Sequence, residues 1–266
     1  MKASYKIFLS VCYNRVVMFK FISLNVWLGG KIWNPMIDFL KKENADILSL
    51  QEVFNSHDPK LGPNFRTMDE FNKIFDYKYK YFDLCFIKDW EGVKTESGNA
   101  IFSKYPIVTT DSLLYDGKFG HYEEKQEDFL KLPRRLQHAR IDISGIEINV
   151  FNTQGIWGTD GRDNARRIKM GKVIRNRIEG EKNVILSGDF NVNPDTQTID
   201  YLKDELVNVS KNATTTSFNL KIKTAPGFDT AVVDMVFTSP NIKALSRECP
   251  SIEISDHLPL VCEFEA

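Results

Sequence analysis

From Val16 onward, short apolar runs bounded by Gly, Asn, Asp or Pro alternate with segments whose apolar positions recur every three or four residues, as when strands interleave with helices. Residues 16–27, rich in Val, Phe and Ile, read as a strand that stops at the polar turn Asn25-Val26-Trp27-Leu28-Gly29-Gly30. Asn34-Pro35 reads as a helix cap with Pro at the first helical position, and Ile37 and Leu40 continue that helix. Residues 46–52 return as a buried strand through Ile47, Leu48 and Leu50. Thr67-Met68-Asp69-Glu70 has the spacing of a capping box and predicts a helix over 68–75. Strands are expected at 78–87 and 99–108, and 137–144 with 146–152 alternate around Ser144-Gly145 as a β-hairpin. A basic helix is expected from Asp163, with Ile168, Gly171, Ile174 and Ile178 on its buried side. A strand at 183–188, a short helix near 197–206 and strands near 232–238, 252–254 and 259–265 complete the chain. Hairpins mixed with crossovers suggest two β-sheets packed face to face with helices outside.

The chain has 266 residues, 42% apolar and 27% charged, enough for one sizeable core and too apolar for disorder. No Gly/Ser linker divides it, so 19–266 is expected to form one domain and 1–18 an N-terminal extension. Lys and Arg number 35 against 36 Asp and Glu, a net charge of −1, less basic than a protein that grips duplex phosphates by bulk charge. Cys12, Cys85, Cys249 and Cys262 are scattered without a C-x-x-C, which fits neither a zinc knuckle nor a disulfide framework and points to a reducing compartment. No apolar run approaches the length of about 20 residues that spans a bilayer. The patch Ile7-Phe8-Leu9 is broken at Ser10, short of a signal peptide. A cytoplasmic monomer is the expectation.

Chemistry shows at the strand ends, where apolar runs stop at a carboxylate or carboxamide. Such ends are Asn25, Glu52, Asn152 and Gln154, Asp189 and Asn191, and Asp256-His257, while Asp234 lies inside the apolar run 232–237. A carboxylate buried in a strand costs several kcal/mol without compensation, so Asp234 demands a partner, and a histidine is the natural one. Oxygen ligands such as Glu52, Asp256 and the Asn25 amide suit a hard cation like Mg²⁺, which takes one or two carboxylates plus waters and phosphate oxygens. Singly each residue has a bland reading as a turn cap or solvated strand end. Together they argue for phosphate ester hydrolysis.

The ordered set Ser23-Leu24-Asn25-Val26-Trp27, Leu50-Gln51-Glu52-Val53, Ser97-Gly98-Asn99-Ala100-Ile101-Phe102-Ser103-Lys104, Asn152-Thr153-Gln154, Ser187-Gly188-Asp189-Phe190-Asn191, Val233-Asp234-Met235 and Ser255-Asp256-His257-Leu258-Pro259 resembles the endonuclease/exonuclease/phosphatase superfamily. The resemblance implies an α+β fold, a four-layer α/β/β/α sandwich with two central, mostly antiparallel sheets and the site at one end. It implies a Mg²⁺ ion (Mn²⁺ as an alternative) on Glu52, with Asn25 and Asp256 beside it. Asp189 would orient or deprotonate the attacking water, Asn191 and Asn152 would bind phosphate, and His257 would contact the scissile phosphate as imidazolium, held by Asp234. Gln154 stands where most members carry histidine; its amide donates a hydrogen bond but brings no charge and moves no proton.

Trp157, just past Gln154, is a candidate for stacking on a base or sugar, and Arg134 and Arg135 in the basic, aromatic-rich segment 109–140 are candidates for phosphate contact. The same composition fits a solvated loop, and the arginines and lysines from Arg162 to Arg177 fit a solvated helix face. Three functions stay open: a nuclease or phosphodiesterase acting on nucleic acid, a phosphoesterase for a small phosphorylated metabolite or lipid head group, and a non-hydrolytic binding module.

Overall fold

Residues 18–25 put Phe19 and Phe21 on one face and Ile22 and Leu24 on the other, all buried, so the strand they form is covered on both sides. The computed structural model describes residues 16–90, 92–123 and 129–266. Most of the segment expected as an extension, with its apolar patch and Cys12, and also Lys125 of the basic segment, lie outside the described residues. In chain order the elements are β1 (Met18–Asn25), α1 (Trp33–Glu43), β2 (Ile47–Phe54), α2 (Thr67–Ile74), β3 (Tyr79–Trp90), β4 (Val93–Ser103), β5 (Ile107–Asp116) and β6 (His121–Tyr122). They continue with β7 (Arg134–Ile143), β8 (Ile146–Gln154), α3 (Ala165–Ile178), β9 (Val184–Asp189), α4 (Gln197–Lys203), β10 (Val207–Asn208), β11 (Asp234–Thr238), β12 (Lys243–Glu248) and β13 (Leu260–Glu265).

One sheet runs β12-β13-β1-β2-β4-β3-β6 and the other β10-β11-β9-β8-β7-β5. The pairs β1–β2, β3–β6 and β8–β9 are parallel and the others antiparallel. Phe21, Ile141, Val150, Ile185 and Phe264 pack between the sheets. Ile22, Leu24 and Leu48 face α1 and α2, while Phe151, Leu186 and Phe237 face α3 and α4. The expected four-layer sandwich is what forms.

Local expectations fared unevenly. The hairpin turns at Ser144 and Gly145, both at positive φ (57° and 91°), which a type I′ turn requires. Asn34 is not a cap: α1 begins at Trp33 with Pro35 still in the first turn, where its missing N–H costs nothing. The capping box fails too, because the Thr67 hydroxyl donates to the carbonyls of Gly29 and Asn64. Residues 99–108 break at 104–106 between β4 and β5, and 252–254 form no strand. On α3, Ile168 is half-buried and Arg167 is fully buried instead. Its guanidinium donates to the Ile156 carbonyl at 3.0 Å and to Asp160 at 2.8 Å, so the charge that seemed destined for solvent ties down the loop after β8.

The parallel pairs β1–β2 and β8–β9 end at the same edge of the sandwich, and β11, antiparallel to β9, begins there with Asp234 opposite Asp189. Gly188 precedes Asp189 of necessity, since a Cβ on it would lie 1.9 Å from the Thr153 carbonyl oxygen.

Candidate active site

Glu52 owes its position to a β-bulge. The register between β2 and β4 slips between Leu50 and Val53, and Glu52 sits there at φ 59°, a conformation costly for a side-chain-bearing residue. The bulge turns its carboxylate into the strand-end cluster. Oε1 accepts from Asn25 Nδ2 at 3.0 Å and from Gln154 Nε2 at 2.7 Å, and Oε2 accepts from the Leu28 backbone N–H at 3.1 Å. Asn25 Oδ1 accepts from the Trp27 N–H at 3.0 Å, which fixes the amide with its nitrogen toward the carboxylates, and Nδ2 also lies 3.2 Å from Asp189 Oδ2. Asn25 therefore bridges Glu52 and Asp189 as a donor. The Asn25 carbonyl in turn accepts from the Ser255 hydroxyl at 2.6 Å, linking β1 to the segment that carries Asp256 and His257.

Asp189 and Asn191 form one unit. Asn191, at φ 55°, donates its backbone N–H to Asp189 Oδ1 at 3.0 Å and its Nδ2 to Oδ2 at 3.1 Å. Burial, aided by the neighbouring Asp234, pushes the Asp189 carboxyl up to about 6, with His257 pulling the other way. His257 Nδ1 stands 2.8 Å from Asp234 Oδ2, and its ring packs on Phe218. Burial works against the charged ring, but Asp234 and Asp189 outweigh it and lift the imidazolium to about 10. The pairing expected for the buried Asp234 is the one found.

A cleft of about 500 Å³ opens beside these groups, and Glu52, Gln154 and Asp256 share its lining with Arg134, Trp157 and Lys223. Its far wall is apolar, built from Phe54, Phe86, Phe129 and Leu132, with the Lys88 ammonium 4.1 Å from the Phe129 ring centre. Trp157 reaches the cleft with its ring 6.1 Å from that of Phe129. Two expected contacts are not brought here. Asn152 is fully buried between the sheets, its amide donating to the Leu50 carbonyl and to Gln137 and accepting from Gln51, so nothing of it is left for phosphate. Arg135, one residue from Arg134 and hence on the opposite face of β7, binds Asp83 and Ser112.

Lys223, which no sequence feature marked, is 2.9 Å from Asp256 Oδ2. It lies in the long connection between β10 and β11, where no periodic pattern points a side chain anywhere.

The profile of the endonuclease/exonuclease/phosphatase family matches residues 22–257, a span that contains every residue of this cluster. The chain belongs to the endonuclease/exonuclease/phosphatase family. Solved structures share the family fold at low identity. An endonuclease/exonuclease/phosphatase from Beutenbergia cavernae is 15% identical at a TM-score of 0.75, over 93% of this chain and 71% of that one. A mannosyl-6-phosphatase from Bacteroides thetaiotaomicron is 16% identical at a TM-score of 0.67, over 92% and 99%. TDP2 of D. rerio, in complex with a single-strand DNA product, is 16% identical at a TM-score of 0.66, over 93% and 98%. No curated protein matches significantly in sequence. Members of the family are hydrolytic phosphoesterases.

The donor set fits a hard divalent cation. Glu52 and Asp256 offer two carboxylates to an open cleft, which is what Mg²⁺ takes while keeping waters and substrate oxygens. Among the described residues, Asp189, Asp234 and His257 also bring ligand atoms within 4.8 Å of one another. Within that second group His257 Nδ1 is already 2.8 Å from Asp234 Oδ2. No helix among the described residues is long and apolar enough to cross a membrane.

Proposed function

We propose that this family member hydrolyses phosphodiester bonds of nucleic acid with the help of a divalent cation. The observation that carries the reading is the Asn25 amide, within hydrogen-bond reach of both Glu52 and Asp189, which ties a cation-binding carboxylate that lines the cleft to a buried, water-activating one. Asp189 orients the attacking water and takes its proton as the new P–O bond forms and the ester P–O bond breaks. Asn191, anchored on Asp189, holds a phosphate oxygen. His257 meets the negative charge that develops in the transition state, and Asp234 keeps its ring charged and oriented. A cation held by Glu52 and Asp256 would act as a Lewis acid on the same phosphoryl group. Trp157 and Phe129, with rings 6.1 Å apart and tilted by 44°, each offer an aromatic face for a base.

A second reading, a small phosphate ester, is favoured by the arginines of α3. Arg166 is held by Asp116, Arg175 by Glu179 and Arg177 by Asp111 and Glu181, so these charges are committed within the protein rather than offered to a polymer. The deciding assay supplies Mg²⁺ or EDTA with single-stranded DNA, duplex DNA, RNA, hexose phosphates and a bis-aryl phosphodiester, for the wild type and Glu52→Gln. Cation-dependent cleavage of nucleic acid that Glu52→Gln abolishes supports the first reading. Cleavage of the small esters alone supports the second, and no cleavage of any of them overturns both.

A further inference from the structure

Gln154 is held from both sides. Arg134 Nη1 donates to Gln154 Oε1 at 2.6 Å, and Gln154 Nε2 donates to Glu52 Oε1 at 2.7 Å. A guanidinium only donates and a carboxylate only accepts, so the amide has one workable orientation: turning it over would set donor against donor at Arg134 and acceptor against acceptor at Glu52. Arg134 is 5% exposed and lines the same cleft, so its charge acts through little water. A charge-assisted bond to the carbonyl polarises the amide and makes its N–H groups stronger donors. Gln154 has two of them. One is spent on Glu52, and the other is left for an oxygen atom in the cleft.

We propose that Arg134 is a positioning residue that locks and polarises Gln154, so that the amide steadies Glu52 with one N–H and donates to a non-bridging phosphate oxygen with the other. The inference rests on the phosphoesterase reading above. It revises the expectation that a glutamine brings no charge to this position, because the charge stands one hydrogen bond behind the amide. A lysine replaces it poorly, as a point charge on a flexible stem lacks the planar fork.

The test is a double-mutant cycle on Arg134→Ala and Gln154→Ala, with Arg134→Lys as the conservative variant. Steady-state kinetics use whichever substrate the assay above identifies, and side-chain amide resonances are recorded by ¹⁵N NMR. Each single variant is expected to lower kcat by about tenfold to a hundredfold with KM changed less than about threefold, and the double variant to be no worse than Gln154→Ala alone. Arg134→Lys is expected to restore part of kcat. Losses that multiply in the double variant would mean that Arg134 acts on the substrate directly, and would overturn the proposal. The NMR reading stands apart from catalysis: the Gln154 amide pair is expected to be shifted and well resolved in the wild type and to move toward the solvent-exposed position in Arg134→Ala. A pair unmoved by Arg134→Ala overturns the proposal even if the wild type hydrolyses nothing, whereas an inactive wild type with a shifted pair refutes only the phosphoesterase reading. Thermal denaturation shows whether Arg134→Ala folds, and Arg134→Lys carries the same NMR comparison if it does not.

Discussion

His257 Nδ1 and Asp234 Oδ2 lie 2.8 Å apart, with both residues buried, and this pair sets how the protein responds to pH. The folded imidazolium is lifted to about 10 from an ordinary 6.5. Its contribution to stability is fully present below about 6.5 and is lost as pH rises through about 10, because over that window the native state binds a proton that the unfolded state has released. In EDTA, urea denaturation is therefore expected to show stability falling between pH 7 and 9, by up to about 1.4 kcal/mol per pH unit from this ring. Asp234→Asn removes the largest of the three raising charges, the others being Asp189 and Asp256, and is expected to flatten that slope. A slope unchanged by the substitution contradicts the assignment.

If Asp256 holds the proposed cation, Lys223 competes with that ion for its carboxylate. Its ammonium is 2.9 Å from Asp256 Oδ2 and a third exposed, so the pair has the worth of a partly solvated ion pair. Calorimetric titration with Mg²⁺ is expected to show Lys223→Ala binding about two- to fivefold more tightly than the wild type. Weaker binding by this variant would mean that Lys223 helps to build the cation site.

Gly188 of β9 pairs with Thr153 and lets the two parallel strands that deliver Gln154 and Asp189 approach closely. A methyl group there would meet the Thr153 carbonyl 1.9 Å away, and backbone cannot yield as a side chain does. Gly188→Ala is expected to cost about 3 kcal/mol or more in urea denaturation. A loss under about 1 kcal/mol would show that β8 and β9 can move apart.

How much of this was legible beforehand depended on whether position followed from local pattern. Asn25 and Asp189 stand where the buried runs of β1 and β9 stop, at one edge of the sandwich, so their nearness was legible from the stops, whereas Glu52 joins them through a bulge inside β2 that the sequence pattern did not show. Asp234 was legible through cost, since a carboxylate in an apolar run must be compensated. Strand β12, an edge strand of mostly exposed residues, has no such pattern and exists through its pairing with β13. Asn152 misled because a strand-end amide looks alike whether it faces a ligand or a second sheet. Lys223 was invisible for the reason that any residue of an irregular connection is: its address is set by tertiary contacts alone. Arg134 and Arg135 were indistinguishable until the pleat of β7 sent them to opposite faces.

In the proposed reaction Asp189 is the group that takes the proton of the attacking water. Asp189→Asn keeps the shape and the bonds from Asn191 that an oxygen can accept, but it removes the base. In Mg²⁺ the variant is expected to lose about a thousandfold or more in kcat against the substrate the wild type cleaves, with folding and KM little changed. A variant within about tenfold of the wild-type rate would contradict the account.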